Sequence, residues 1–245
     1  MKKLFTGLVL SLTTMTVAAE TLQTAVATNF RPTLEIIAEK FREQTGHEIA
    51  LSAGSTGQLY AQITQGAPFD LFFAADDIRP EKLEADDLAT DRFTYAIGQL
   101  ALCSAQTEIS DEVQEWLKNE DIKRLAIANP RLAPYGRAAR EFIEASDSTD
   151  KFAGRLIRGE NIGQTFQFVI TGNVTAGLVA ESQRLRTAPE KLSCKAIPAQ
   201  LHEPIIQQAV ILNNTSTAQA FMDFVRSPAI RTIIMNAGYD LPDRD

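Results

Sequence analysis

The chain has 245 residues, 44% of them apolar and 22% charged, and a formal charge of −7. That length leaves room for one large domain or two small ones around a substantial core. The acidic balance argues against a nucleic-acid surface.

The N-terminus reads as a secretory leader over residues 1–19. Lys2 and Lys3 form a basic start, Leu4 to Val17 is largely apolar, and Val17-Ala18-Ala19 offers small residues for cleavage. The apolar run is short for a membrane anchor. Loss of the two lysines takes the formal charge from 24 − 31 = −7 to 22 − 31 = −9. The expected product is a soluble exported protein, periplasmic in location. Its two cysteines, Cys103 and Cys194, suggest one bridge in an oxidising compartment, with two buried thiols as the alternative.

Thr21–Ala27 reads as a first strand. Phe30, Leu34, Ile37, Ala38 and Phe41 then share one helix face, with Pro32 in the first turn and Gly46 as a stop. Ile49–Ser52 is a second strand. It runs through Ser55-Thr56-Gly57 into a helix carrying Leu59, Tyr60 and Ile63. The short apolar run Phe69–Ala75 is a buried strand, Pro80–Ala85 a helix, and Phe93–Cys103 a strand. Val113, Trp116 and Leu117 share a helix face. Arg124–Ala128 is a strand, Pro134-Tyr135-Gly136 a turn, and Arg137–Glu144 a helix. Arg155–Ile157, Val174–Val179, Ser193–Ile197 and Gln207–Leu212 are strands, with a helix at Ile162–Ile170 closed by Gly172. Two helices, around Ala220–Val225 and Ile230–Met235, end the chain. This alternation is that of an α/β protein. No low-complexity linker divides it, so two lobes must share strands, with Tyr95–Cys103 and Gln207–Leu212 as the expected crossings. Lobe 1 is expected over residues 20–97 plus 208–245, and lobe 2 over 98–207.

Most catalytic signatures are missing. There is no phosphate-binding GxxxxGK[ST], no GxGxxG and no GxSxG. The two histidines, His47 and His202, lie in polar stretches without metal-ligand spacing. What remains is a set of small neutral donors where strands give way to helices: Thr28-Asn29, Ser55-Thr56-Gly57, Tyr135, and Asn173-Val174 after Gly172. Each could be a simple cap or turn. Together they suit an oxyanion, because helix N-termini carry unpaired N–H groups and the positive end of the dipole. A cage of donors also selects a fully deprotonated anion. A protonated one would bury an O–H without an acceptor, costing about 1–3 kcal/mol.

Three runs carry a resemblance over essentially the whole mature chain: Ala27-Thr28-Asn29, Gly54-Ser55-Thr56-Gly57-Gln58-Leu59-Tyr60, and Gly66-Ala67-Pro68-Phe69-Asp70-Leu71-Phe72-Phe73-Ala74-Ala75-Asp76. Ala128-Asn129-Pro130, Pro134-Tyr135-Gly136, Gly172-Asn173-Val174 and Ala237-Gly238-Tyr239 extend it. The chain resembles the periplasmic molybdate-binding proteins of molybdate ABC importers, which are type II solute-binding proteins. The resemblance implies a two-lobed fold, each lobe a mixed sheet flanked by helices. It implies a molybdate or tungstate oxyanion held between the lobes, an ABC permease as partner, a monomer, no enzymatic activity and no cofactor. Molybdenum would be bound as its oxyanion, without direct metal ligands. Carried over by segment, the donors are Thr28, Asn29, Ser55 or Thr56, Tyr135, and the N–H of Val174. Many members have Ser-Leu in place of Thr28-Asn29 and two serines in place of Ser55-Thr56, so the hydroxyls are kept. The same fold could serve sulfate or phosphate. From other classes, a secreted hydrolase using Ser55, with His202 or His47 as base, or a sensor lobe are the alternatives.

Overall fold

A computed structural model describes residues 19–118, 122–187 and 192–242. All of the expected leader except Ala19 lies outside these. The strands form two mixed sheets. The first contains β1 (Thr21–Ala27), β2 (Glu48–Gly54), β3 (Leu71–Phe73), β4 (Thr90–Gly98), β10 (Ile205–Ile211) and β11 (Tyr239–Asp240). Their order is β11-β4-β10-β3-β1-β2. β1 runs parallel to β2 and β3, and β10 is antiparallel to β3 and β4. The second sheet contains β5 (Leu100–Ser104), β6 (Leu125–Ala128), β7 (Leu156–Gly159), β8 (Ala176–Ala180) and β9 (Ser193–Ala196), in the order β7-β6-β8-β5-β9. β6 is parallel to β7 and β8, and β5 is antiparallel to β8 and β9.

Helices cover both faces of each sheet. α1 (Arg31–Thr45) buries Leu34, Ile37, Ala38 and Phe41, and ends at Gly46 with φ 78°. That left-handed turn suits a residue without Cβ. α1 packs with α8 (Ser216–Arg226) and α9 (Pro228–Asn236) on one face, where Phe30, Phe73, Tyr95 and Phe221 are fully or almost fully buried. Each such side chain contributes about 1.5–3 kcal/mol of burial. α2 (Thr56–Thr64) and α3 (Ile78–Ala85) cover the other face through Leu59, Ile63 and Leu83. In the second sheet, α4 (Val113–Leu117) and α5 (Pro134–Ala145) pack on one side, and α6 (Ile162–Ile170) on the other. Sequence reading missed α7 (Glu181–Leu185) and β11, both too short to show a period.

The run Phe69–Asp76 is structural. The Asp70 carboxylate accepts from Gln23 N–H at 2.7 Å and Asn213 Nδ2 at 2.8 Å, which ties β1 to the end of β10. Asp76 is buried and pairs with Arg79.

The expected strand Phe93–Cys103 is two strands in different sheets, separated by Gln99 alone. A Cβ on Gly98 would lie 2.3 Å from Tyr135 Oη and 2.7 Å from Gln207 Nε2, so only glycine allows this close packing at the crossing. The chain returns through residues 197–204, between β9 and β10. Ile205, Ile206 and Gln207 pair with Gly98, Ile97 and Ala96 of β4. These three residues, assigned by sequence to lobe 2, therefore stand in the first sheet.

Cys103 and Cys194 face each other directly in the β5–β9 register and form a disulfide, with Cα atoms 4.2 Å apart.

Candidate functional site

Four strands that end beside one another each lead into a helix whose N-terminus meets the others. β1 leads to α1 and β2 to α2 in the first sheet; β6 leads to α5 and β7 to α6 in the second. Between them lies a cavity of about 10 Å³ for the centre of a water-sized sphere. Thr28 and Asn29 line it from before α1, Gly54 to Thr56 from α2, Ala133 to Tyr135 from α5, and Asn161 with Ile162 from α6. No formally charged side chain is among its lining residues.

Hydrogen-bond accounting shows what the cavity offers. At the start of α2, the Ser55 N–H goes to Gln58 Oε1, the Gly57 N–H to Leu132 O, and the Gln58 N–H to Ser55 Oγ. Thr56 N–H is left over. At α5, Ala133, Gly136 and Arg137 have acceptors, Pro134 has no N–H, and Tyr135 N–H is left over. At α6, the Gln164 N–H is capped by Asn161 Oδ1 and the Thr165 N–H by Asn161 O, leaving the Ile162 and Gly163 N–H groups, of which Ile162 lines the cavity. Before α1, Thr28 and Phe30 N–H groups are bonded and Asn29 N–H is not. Thus each helix start presents at least one N–H without an acceptor among the described residues. Each helix terminus carries about half a positive charge, so four amount to about two. That matches a doubly charged anion without any buried cation.

Hydroxyls add to this. Thr28 Oγ1 donates to Gly54 O at 2.9 Å, but that carbonyl also holds Thr28 N–H at 3.0 Å. The hydroxyl can turn to a ligand without orphaning the carbonyl. Thr56 Oγ1 accepts from Ala75 N–H at 3.0 Å, which leaves its own proton uncommitted. Ser55 Oγ donates to Gln58 Oε1 at 2.9 Å within a capping box. Thr56 therefore offers both N–H and O–H, whereas Ser55 chiefly holds the helix start.

Asn29 plays a different part from the one expected of its side chain. Its Nδ2 donates to Gln207 Oε1 at 2.8 Å and to Tyr239 Oη at 3.2 Å, so only its backbone serves the cavity. Tyr239 Oη donates back to Asn29 O at 2.9 Å. Gln207 Oε1 also lies 3.1 Å from Tyr95 Oη, and Gln207 Nε2 donates to Tyr135 Oη at 3.4 Å. This buried network joins Asn29 of one wall to Tyr135 of the other through Gln207 of β10, the strand that follows the return crossing. Burial holds all three phenols neutral: it pushes Tyr95 and Tyr135 well above the ordinary range, and Tyr239 up to about 12.

Of the sequence-predicted donors, Thr28, Asn29, Ser55, Thr56 and Tyr135 come together here. Val174 does not. It is buried among Cys103, Ala126, Val169 and Val179, just before β8. β8 is parallel to β6, with Ala176 opposite Leu125, so Val174 sits by the start of β6 and the cavity by its end. Ile162 takes the place expected of Val174. Its signal was present in the sequence, since Asn161 followed three residues later by Gln164 repeats the polar cap of Ser55 and Gln58. Pro134-Tyr135-Gly136 is the first turn of α5 rather than a separate turn, which is what aims the Tyr135 N–H.

No group of His, Cys, Asp and Glu able to hold a metal ion occurs among the described residues. A triad at Ser55 is also absent. Its hydroxyl is bonded to Gln58, His47 Nδ1 accepts from Glu20 N–H, and His202 Nδ1 contacts Glu203 O.

Two lobes closing on a donor-lined cavity at the ends of parallel strands define a solute-binding protein. A family model described as bacterial extracellular solute-binding protein matches residues 22–240, and the chain belongs to that family. The molybdate-binding protein ModA of Azotobacter vinelandii is 43% identical over 91% of both chains. That of Rhodobacter capsulatus is 39% identical over 88% of this chain and 86% of its own. The solved structure of the Azotobacter vinelandii periplasmic molybdate-binding protein superposes with a TM-score of 0.85 at 39% identity, covering 91% of this chain and all of that one. These relatives are binding proteins, not enzymes.

Proposed function

We propose that this protein captures molybdate, and tungstate with it, in the periplasm and delivers it to an ABC permease. The carrying observation is the uncharged cavity at which four helix N-termini each leave at least one N–H unpaired. The similarity to molybdate-binding proteins supports the choice of anion. In this reading the protein acts as a monomer, is exported by its N-terminal leader, and needs no cofactor. Residues of the β1–β3 sheet and of the β5–β9 sheet form the two lobes. The ligand bridges both, and so shifts the population towards the closed form that a permease recognises.

Calorimetric titration with molybdate, tungstate, sulfate and phosphate tests the proposal. Molybdate and tungstate are expected to bind at least about a hundredfold tighter than sulfate, a difference of about 2.7 kcal/mol. Sulfate binding as tight as molybdate would refute it and favour the sulfate reading of the same fold.

Closure also depends on a glycine. A Cβ on Gly163, in the first turn of α6, would stand 2.5 Å from Thr28 Cγ2 on the opposite wall. Threonine is stiff at χ1, so the walls must part to relieve the contact. Gly163→Ala is expected to weaken molybdate binding about tenfold while leaving the melting temperature of the unliganded protein within a few degrees. Unchanged affinity would show that the two walls need not meet at this point.

A further inference from the structure

The cavity is neutral and the chain is acidic, so an approaching dianion meets a repulsive overall field. The sign reverses locally. A groove of about 400 Å³ adjoins the cavity, sharing Ala133 and Pro134 with it and passing beside Gly57. Arg79 and Lys82 line it from α3 of the first lobe. Arg131 and Arg137 line it from around the start of α5 in the second. Two carboxylates offset them in part. Asp76 is paired with Arg79, and Glu141 lies 3.7 Å from Arg137. Arg79 also reaches across the lobes, donating to Arg131 O at 3.3 Å. Lys82 and the side chain of Arg131 are exposed at the rim, one on each lobe.

We propose that this groove is an outer capture site, where a dianionic oxyanion is held between the cations of the two lobes before it passes to the neutral cavity. The proposal rests on the oxyanion-binding reading above. The division of labour is physical. Fixed neutral donors hold a fully ionised anion tightly, but dipoles fall off too quickly to draw it from a distance. Full charges flanking a cleft raise local anion concentration and association rate, and salt screens that effect. The groove is therefore expected to govern how fast the anion arrives, and the cavity how long it stays.

The test is stopped-flow fluorescence of molybdate binding at low and high salt. It compares the unaltered protein, the double variant Lys82→Gln/Arg131→Gln, and a control, Lys40→Gln/Lys123→Gln, which removes the same net charge from exposed sites elsewhere. At low salt the groove variant is expected to associate about five- to tenfold more slowly than the unaltered protein and the control, with an unchanged dissociation rate and a flatter salt dependence. Equal association rates for the groove variant and the control, or a loss carried by faster dissociation, would overturn the proposal. Calorimetry on the unaltered protein separates the two levels. Absence of molybdate binding there defeats the functional reading itself, whereas tight binding with unaltered variant kinetics defeats only the groove.

Discussion

Gln207→Glu is expected to weaken molybdate binding by two orders of magnitude or more at pH 8, and to recover most of it at pH 6. Gln207 is fully buried and joins Asn29 to Tyr135, which each give a backbone N–H to the cavity. An ionised carboxylate here keeps the shape of the amide but sets a negative charge behind two of the donors. If the charges stand about 8 Å apart in an effective dielectric of about 20, the repulsion of a dianion is about 4 kcal/mol. A protonated carboxyl behaves otherwise. Its carbonyl can accept from Asn29 and its hydroxyl can donate to Tyr135, as the amide does. Burial and a bound dianion both raise the introduced group's pKa, so anion binding takes up a proton and affinity falls as pH rises. The parent protein has no charged group lining its cavity and is expected to show little pH dependence over the same range. Calorimetry at both pH values, in buffers of different ionisation heat, reads affinity and proton uptake together. Equal affinity of variant and parent at both pH values would show that the network does not reach the ligand.

Breaking the disulfide is expected to do the opposite, lowering stability and leaving binding untouched. Cys103 and Cys194 close a loop of 91 residues. Cross-links of that span contribute about 2–4 kcal/mol, chiefly by restricting the unfolded chain. In a protein of this size each kcal/mol moves the midpoint by about 2–4 °C, so Cys103→Ser/Cys194→Ser is expected to melt about 5–15 °C lower. The pair lies between β5 and the edge strand β9, with Val174 and Val169 nearby and away from the four helix starts. Molybdate affinity at 25 °C is expected to stay within about twofold of the parent. Thermal scans under oxidising and reducing conditions check the first part and calorimetry the second. An unchanged melting temperature would show that the register of β5 and β9 is held without the bond.

Much of this architecture was legible before any coordinates. β1 falls on Thr21–Ala27 and α6 on Ile162–Ile170, as their patterns predict, because each buries a regular set of side chains. The Ser55–Gln58 cap could be read because it is local. Long-range arrangement could not. Asn29 meets Gln207 and Tyr239 across separations of 178 and 210 residues, and no local pattern announces such a meeting. Val174 shows the limit most plainly. Whether a residue before a strand lies near the ligand depends on the strand's direction, and β8 proves to be parallel to β6. The break at Gln99 was hidden because the residues on either side of it, Tyr95–Ile97 and Leu100–Cys103, are all of apolar character.

The order of the first sheet bears on how the chain is made. β10 lies between β4 and β3, yet some hundred residues separate β4 from β10 in sequence. As the polypeptide emerges from its N-terminus, the whole β5–β9 sheet is complete before this middle strand appears. Until then β3 and β4 have no partner between them, and the earlier sheet cannot zip up. Truncation between Ala196 and Ile205 should thus leave a chain with one finished half and one gaping half, prey to proteases and to chance pairing with its neighbours.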